Sequence, residues 1–173
     1  MLDALILLDL NVLIALVDPA HVQHDAAHEW FAQRGHTAWA SCPLTESGLV
    51  RIVDQSRYPN SPGTPAAAAK LLAGLRVLPG HTFRPDDINL LGARHIDNTR
   101  LLGPAQVKDS HLLALARSHR GQLASLDRRL ITAAVPDGFS PSSSDRVTAG
   151  RAATAGQAAQ GSSMRGSPRR ASD

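Results

Sequence analysis

LILLDLNVLIALVD, residues 5–18, is the stretch on which the architecture turns. Four successive apolar residues, Leu5 to Leu8, leave no face for water, as in a strand covered by helices on both sides of a parallel sheet. Asp9 ends that strand, and Asn11 to Val17 reads as a helix. The run is apolar enough to suggest a secretory signal, yet no basic residues precede it and Asp3 and Asp9 interrupt it, so a buried strand and helix explain it better. Nowhere else is there an uncharged apolar run long enough to span a bilayer.

Outward from this stretch, strands and helices alternate. His21 to Arg34 reads as a helix with Val22, Ala26, Ala27, Trp30 and Phe31 on one face, stopped by Gly35. Thr37 to Ala40 is a short strand, Glu46 to Gln55 a helix introduced by Pro43 and Thr45, Tyr58 to Pro65 a loop, and Pro65 to Leu75 a helix. Arg76 to Leu78 is expected as a strand and Pro85 to Ile96 as a helix with Asp86 and Asp87 in its first turn. Pro104 to His119 is a helix ending before Gly121, and Gln122 to Ser125 the last strand. The alternation indicates an α/β fold, a three-layer α/β/α sandwich around a mostly parallel sheet.

At 173 residues and 43% apolar content, the chain has material for one compact domain. That domain is expected over residues 1–136. From 137 to 173 the composition turns to Ser, Gly, Ala, Arg and Pro, too polar to offset its ordering entropy, so disorder is expected there. Residues 1–136 carry 13 Lys and Arg against 12 Asp and Glu, so the net charge of +3 owes much to the tail and argues weakly for RNA binding. Cys42 is the only cysteine, which excludes an internal disulfide framework and a Cys-rich zinc module and fits a reducing, cytoplasmic setting.

Four carboxylates stand in costly places. In open α/β sheets the functional crevice lies at the carboxyl ends of the strands, where Asp9 directly follows one strand and Asp127 closely follows another, after LASL. Glu46 and Asp109 lie on apolar helix stripes, with Leu49, Val50 and Val53 after the first and Leu112, Leu113 and Ala116 after the second. Clustered carboxylates without a cation would force at least one to take up a proton. Oxygen ligation of this kind suits Mg²⁺ or Mn²⁺, and such a site suits phosphodiester hydrolysis. Helix capping is the competing explanation, strongest for Asp127 and weaker for Asp109, which lies a turn inside its helix, while Thr45 is a better cap than Glu46.

His21, His24 and His28 are at helical spacing but opposite the apolar stripe, and read as a solvent-facing surface rather than a metal site. Trp30, Phe31 and Trp39 read as core, and Cys42 as an unreactive small residue.

The order of these residues resembles a known family. DLNVLIALVDPAHVQHDAAHEWF, CPLTESGLVRIV and QVKDSHLLALARSHRGQLASLDRRL together resemble the PIN-domain toxins of the VapC type. The family's pattern is an early Asp with Asn or a small polar residue two positions on, a Glu opening a helix, an Asp near the head of a later helix, and an Asp after Thr or Ser on the last main strand. Here these are Asp9 with Asn11, Glu46, Asp109, and Asp127 with Ser125. The resemblance implies a Mg²⁺- or Mn²⁺-dependent endoribonuclease, a homodimer, and a small VapB-type antitoxin partner. It also implies Asp9, Glu46 and Asp109 as ligands, Asp127 completing the set or orienting water, and Asn11 and Ser125 in support. Lys108 departs from the pattern, since a small or polar residue often precedes the third acid. Backbone contacts to RNA are expected from Arg51, Lys108, Arg128 and Arg129.

Two other functions compete. A phosphatase using Asp9 as nucleophile is disfavoured because Asn11 stands where that motif carries a second Asp. A catalytically silent PIN-like module binding RNA or a partner is the stronger alternative.

Overall fold

Ile6–Leu8 forms β1, the strand on which the sheet is built. The structure, a computed structural model, describes residues 4–92, 94–127, 130 and 132–136. Three further strands, β2 (Trp39–Ser41), β3 (His81–Phe83) and β4 (Gln122–Ala124), give the order β3-β2-β1-β4, with every pairing parallel. Parallel neighbours require crossovers. These are α1 (Leu10–Val17) and α2 (His24–Trp30), then α3 (Pro43–Val53) and α4 (Pro65–Arg76), then α5 (Pro104–Ser118).

Alternation along each strand divides the core into two layers. Leu8, Trp39 and Ala124 pack with Leu13, Phe31, Leu49 and Leu72 from the first four helices. Leu7, Ala40 and Leu123 pack on the opposite side with Leu112 and Leu115 of α5 and with Ile96. The expected three-layer sandwich is therefore present. In α1, Leu10 and Val12 to Leu16 are all buried, which is why this helix shows no polar face in the sequence.

Four expectations about elements need correction. Arg76 to Leu78 is not a strand: α4 runs through Arg76, Val77 is exposed, and β3 begins only after the turn at Gly80. Among the described residues, no helix spans Pro85 to Ile96; a turn led by Asn89 interrupts the stretch, its side chain and carbonyl accepting from Leu91 and Gly92 N–H. Asp86 and Asp87 do not serve a first helical turn but pair with His111 of α5 and with His119 just past its end, at 2.6 and 3.0 Å. Val22 is 95% exposed, because α2 starts only at His24, and after Trp30 it widens into a π-turn over Phe31–Gly35. The segment 137–173 expected to be disordered lies outside the described residues.

Gly80 is the hinge between α4 and β3. Its φ of +81° favours glycine, a Cβ there would approach the His36 carbonyl oxygen to 2.4 Å, and its own carbonyl accepts from Trp39 N–H at 2.9 Å. Gly80→Ala is expected to destabilise the fold by about 2 kcal/mol or more, combining left-handed strain with a backbone clash. Urea unfolding measures it, and a variant as stable as wild type would contradict the assigned turn.

Candidate active site

Because all four strands are parallel, their carboxyl ends share one edge, and Asp9 stands at the end of the central strand β1. It is 1% exposed. Its Oδ1 accepts from Leu10 N–H at 2.7 Å, capping α1, while its Oδ2 accepts from the Ser125 hydroxyl at 3.1 Å. Ser125 follows β4, and its oxygen in turn accepts from Asp127 N–H at 3.1 Å. One serine thus ties the turn carrying Asp127 to the Asp9 carboxylate. Asp9 thus caps α1 and stands at the strand-end edge at the same time.

The cation on this carboxylate is Lys108. Its ammonium lies 2.8 Å from Asp9 Oδ1 and 3.1 Å from Asp109 Oδ1, bridging the two acids. The expectation that Lys108 serves RNA is replaced by this pair. Burial alone would lower the Lys108 ammonium, but the charge and hydrogen bond of Asp9, and then Asp109, outweigh it and hold the group above the ordinary lysine range. Burial pushes the Asp109 carboxyl above the usual range, the Lys108 contact opposes this, and the charges of Asp9 and Asp127 add to the rise. Asp9 and Asp127 are therefore both close enough to act on Asp109 electrostatically.

Glu46 enters a separate network on the β2–β3 side of the edge. The α3 N-terminus is fixed by Cys42 N–H donating to Thr45 Oγ1 at 3.1 Å, so Thr45 lies inside the helix rather than capping it from outside. One residue on, Glu46 Oε1 accepts from the buried Ser41 hydroxyl at 2.6 Å, and Oε2 faces Arg76 at 3.3 Å. Since the single Ser41 hydrogen goes to Glu46, His81 Nε2 must donate to Ser41 Oγ, 2.8 Å away. Burial, then the nearby Arg76 cation, holds His81 below the ordinary histidine range, consistent with a neutral ring. A cavity of about 680 Å³ lies between α3 and α4, lined by Glu46, Arg51, Leu72 and Arg76.

Asn11 is exposed on α1. Arg128 and Arg129 lie outside the described residues. Among the described residues, no group of three or more His, Cys, Asp or Glu side chains is preassembled for a metal ion. The donor chemistry nonetheless fits a hard cation: a buried carboxylate and its mutually charged neighbours already share one positive group.

Residues 6–136 match the PIN domain. The chain belongs to the PIN-domain family. Within this PIN family it is of the VapC type: it is 42% identical to ribonuclease VapC44 of Mycobacterium tuberculosis over 130 residues, 75% of this chain and 91% of that protein. It is 43% identical to ribonuclease VapC39 of the same organism over 128 residues, 74% of this chain and 92% of that one. The crystal structure of M. tuberculosis VapC20, a sarcin-ricin loop cleaving toxin, shares the fold with a TM-score of 0.53 at 15% identity, over 75% of this chain and 95% of that chain.

Sequence reasoning missed Ser41, which lies at the end of β2 and bonds Glu46 five residues on, Arg76, which reaches Glu46 from the end of α4, and His81, which meets Ser41 through the β2–β3 pairing. It also missed that His24 and His28 contact the Ala15 and Leu16 carbonyls at 2.8 and 2.9 Å, satisfying the end of α1. Cys42 is buried, and burial raises its thiol above the ordinary value, as an unreactive residue requires.

The folded value of Asp109 lies above its unfolded one, so its ionised form costs stability at neutral pH, and the cost fades as pH falls into the carboxylate range. Asp109→Asn is expected to raise the metal-free melting temperature at neutral pH by a few degrees, with the gain shrinking toward about pH 4. A melting temperature lowered at neutral pH would contradict this environment.

Proposed function

We infer that this PIN protein is an endoribonuclease toxin of the VapC type, hydrolysing RNA phosphodiester bonds at the carboxyl edge of its sheet. The observation that carries the site assignment is the buried Asp9 carboxylate at the end of the central strand, sharing a positive group with Asp109. The relatives named ribonuclease, matched over about nine-tenths of their length, support the activity.

Asp9, Asp109, Asp127 and Glu46 are the residues that would hold Mg²⁺ or Mn²⁺, directly or through water. Lewis-acid activation of water and neutralisation of phosphate charge are the chemistry such an ion supplies when bound. The protein's own groups set the geometry. Leu10 N–H and Ser125 Oγ fix the Asp9 carboxylate in one orientation, and Ser41 with Arg76 fixes Glu46. Asp127, whose backbone N–H donates to Ser125 Oγ, would complete the ligand set or orient the attacking water. Arg51 and Arg76 line the cavity beside Glu46 and supply cations for the RNA backbone. A VapB-type antitoxin, a homodimeric assembly and a cytoplasmic setting complete the reading; the exposed apolar side chains of Val22, Val77, Leu91 and Leu102 supply surface for such contacts.

A silent binding module is the second reading, favoured by the ammonium lodged between Asp9 and Asp109 and by the lack of a preassembled ligand group among the described residues. Cleavage of RNA by purified protein separates the two. Activity is expected with Mg²⁺ or Mn²⁺, lost in excess EDTA, and reduced at least about a thousandfold by Asp9→Asn without loss of the folded state. Intact RNA bound in the presence of metal would establish the silent module, and undiminished cleavage in EDTA would reject the metal-dependent reading.

A further inference from the structure

We propose that the Lys108 ammonium is the resident cation of this carboxylate centre, joining Asp9 to Asp109 when no divalent ion is bound and competing with that ion for the same oxygens. The inference rests on the metal-dependent reading above and adds to it a residue that sets how tightly the ion is held.

Three observations carry it. The Asp9 carboxylate has its Oδ2 engaged by Ser125, and Lys108 Nζ lies 2.8 Å from its Oδ1. The same ammonium lies 3.1 Å from Asp109 Oδ1, so one positive group spans both acids. Finally, the Lys108 side chain is 34% exposed whereas that of Asp9 is 2% exposed, so the ammonium has a path to water and can withdraw while the acid stays fixed.

An ammonium and a divalent cation in contact with the same carboxylate oxygen would repel each other strongly in a partly desolvated site. Binding of one therefore requires departure of the other. The lysine neutralises the buried Asp9 in the metal-free protein, and the same contact weakens affinity for the ion. Removing the charge should move two properties in opposite directions: lower stability without metal, tighter metal binding. A lysine that only contacts RNA would move neither, and one that only supports the fold would not tighten metal binding.

The test uses the full chain without RNA, titrated with Mn²⁺ and followed by the electron paramagnetic resonance of free Mn²⁺, with melting temperatures in EDTA and in Mn²⁺. Lys108→Gln is expected to bind Mn²⁺ about tenfold more tightly than wild type, to melt lower in EDTA, and to regain the loss in Mn²⁺. Lys108→Arg, which keeps the charge, is expected to stay near wild type, and this variant decides the matter if Lys108→Gln does not fold: Mn²⁺ binding tightened as much as tenfold in it would overturn the competition. Unchanged or weaker binding in Lys108→Gln, with wild-type binding abolished by Asp9→Asn, overturns the competition alone. Wild-type protein that binds no Mn²⁺, or Asp9→Asn that binds it as well as wild type, overturns the metal-dependent reading and this inference together.

Discussion

A carboxylate enclosed at the end of the central strand is the constraint to which the rest of the site answers. Asp9 is almost fully removed from water, and an ion so placed is tolerated only with hydrogen bonds on its oxygens and an opposite charge nearby. The adjacent Leu10 N–H of α1 and two groups distant in sequence, the Ser125 hydroxyl from beyond β4 and Lys108 from α5, supply these. Removing one partner of a well-buried pair typically costs about 3–5 kcal/mol, a figure reduced here because a third of the Lys108 side chain reaches solvent. The acid thus links the central strand to elements on both sides of the sheet.

Parallel topology makes the convergence possible. With β1 between β2 and β4 and all strands running one way, the residues just past Leu8, Ser41 and Ala124 must emerge along one edge. Asp9, the Ser41–Glu46 pair and the Ser125–Asp127 turn occupy those three exits. Two charge networks result, Asp9–Lys108–Asp109 and Glu46–Arg76 with Ser41 and His81, each satisfied within itself. The ammonium shared by Asp9 and Asp109 offsets part of the cost of holding two acids side by side out of water.

Where apolar patterning was strong, the fold was readable from the chain: Leu5 to Leu8, the uniformly buried α1, the long α5 and the alternation that gives three layers. It failed over residues 76–96, where a strand was expected at Arg76 to Leu78 and a helix from Pro85 to Ile96, and tertiary contacts decided otherwise. Asp86 and Asp87 found histidines on α5 and just past its end, and the chain passes Gly80 in a conformation that no apolar period announces. The positions of the acids followed from strand ends and helix stripes, because burial of a charge breaks a pattern visible in one dimension. Their partners did not, since Arg76 reaches Glu46 from the far end of α4 and His81 meets Ser41 only once β2 and β3 are paired.

Lys108 shows how one residue beside a motif can alter a site without touching the motif itself. Neighbours on a helix diverge by about 100°, so a short side chain at position 108 would point away from the face that carries Asp109. Lysine's long, unbranched stem allows its ammonium to turn back over the helix and reach both Asp109 and the strand-end Asp9, 99 positions earlier in the chain. A serine or alanine there would leave the two acids facing each other without an intervening charge, and their repulsion would then fall wholly on protonation or on a bound cation. The carboxylate pattern alone therefore does not fix the affinity of such a centre for its ion; the length and charge of the residue preceding the third acid enter as well.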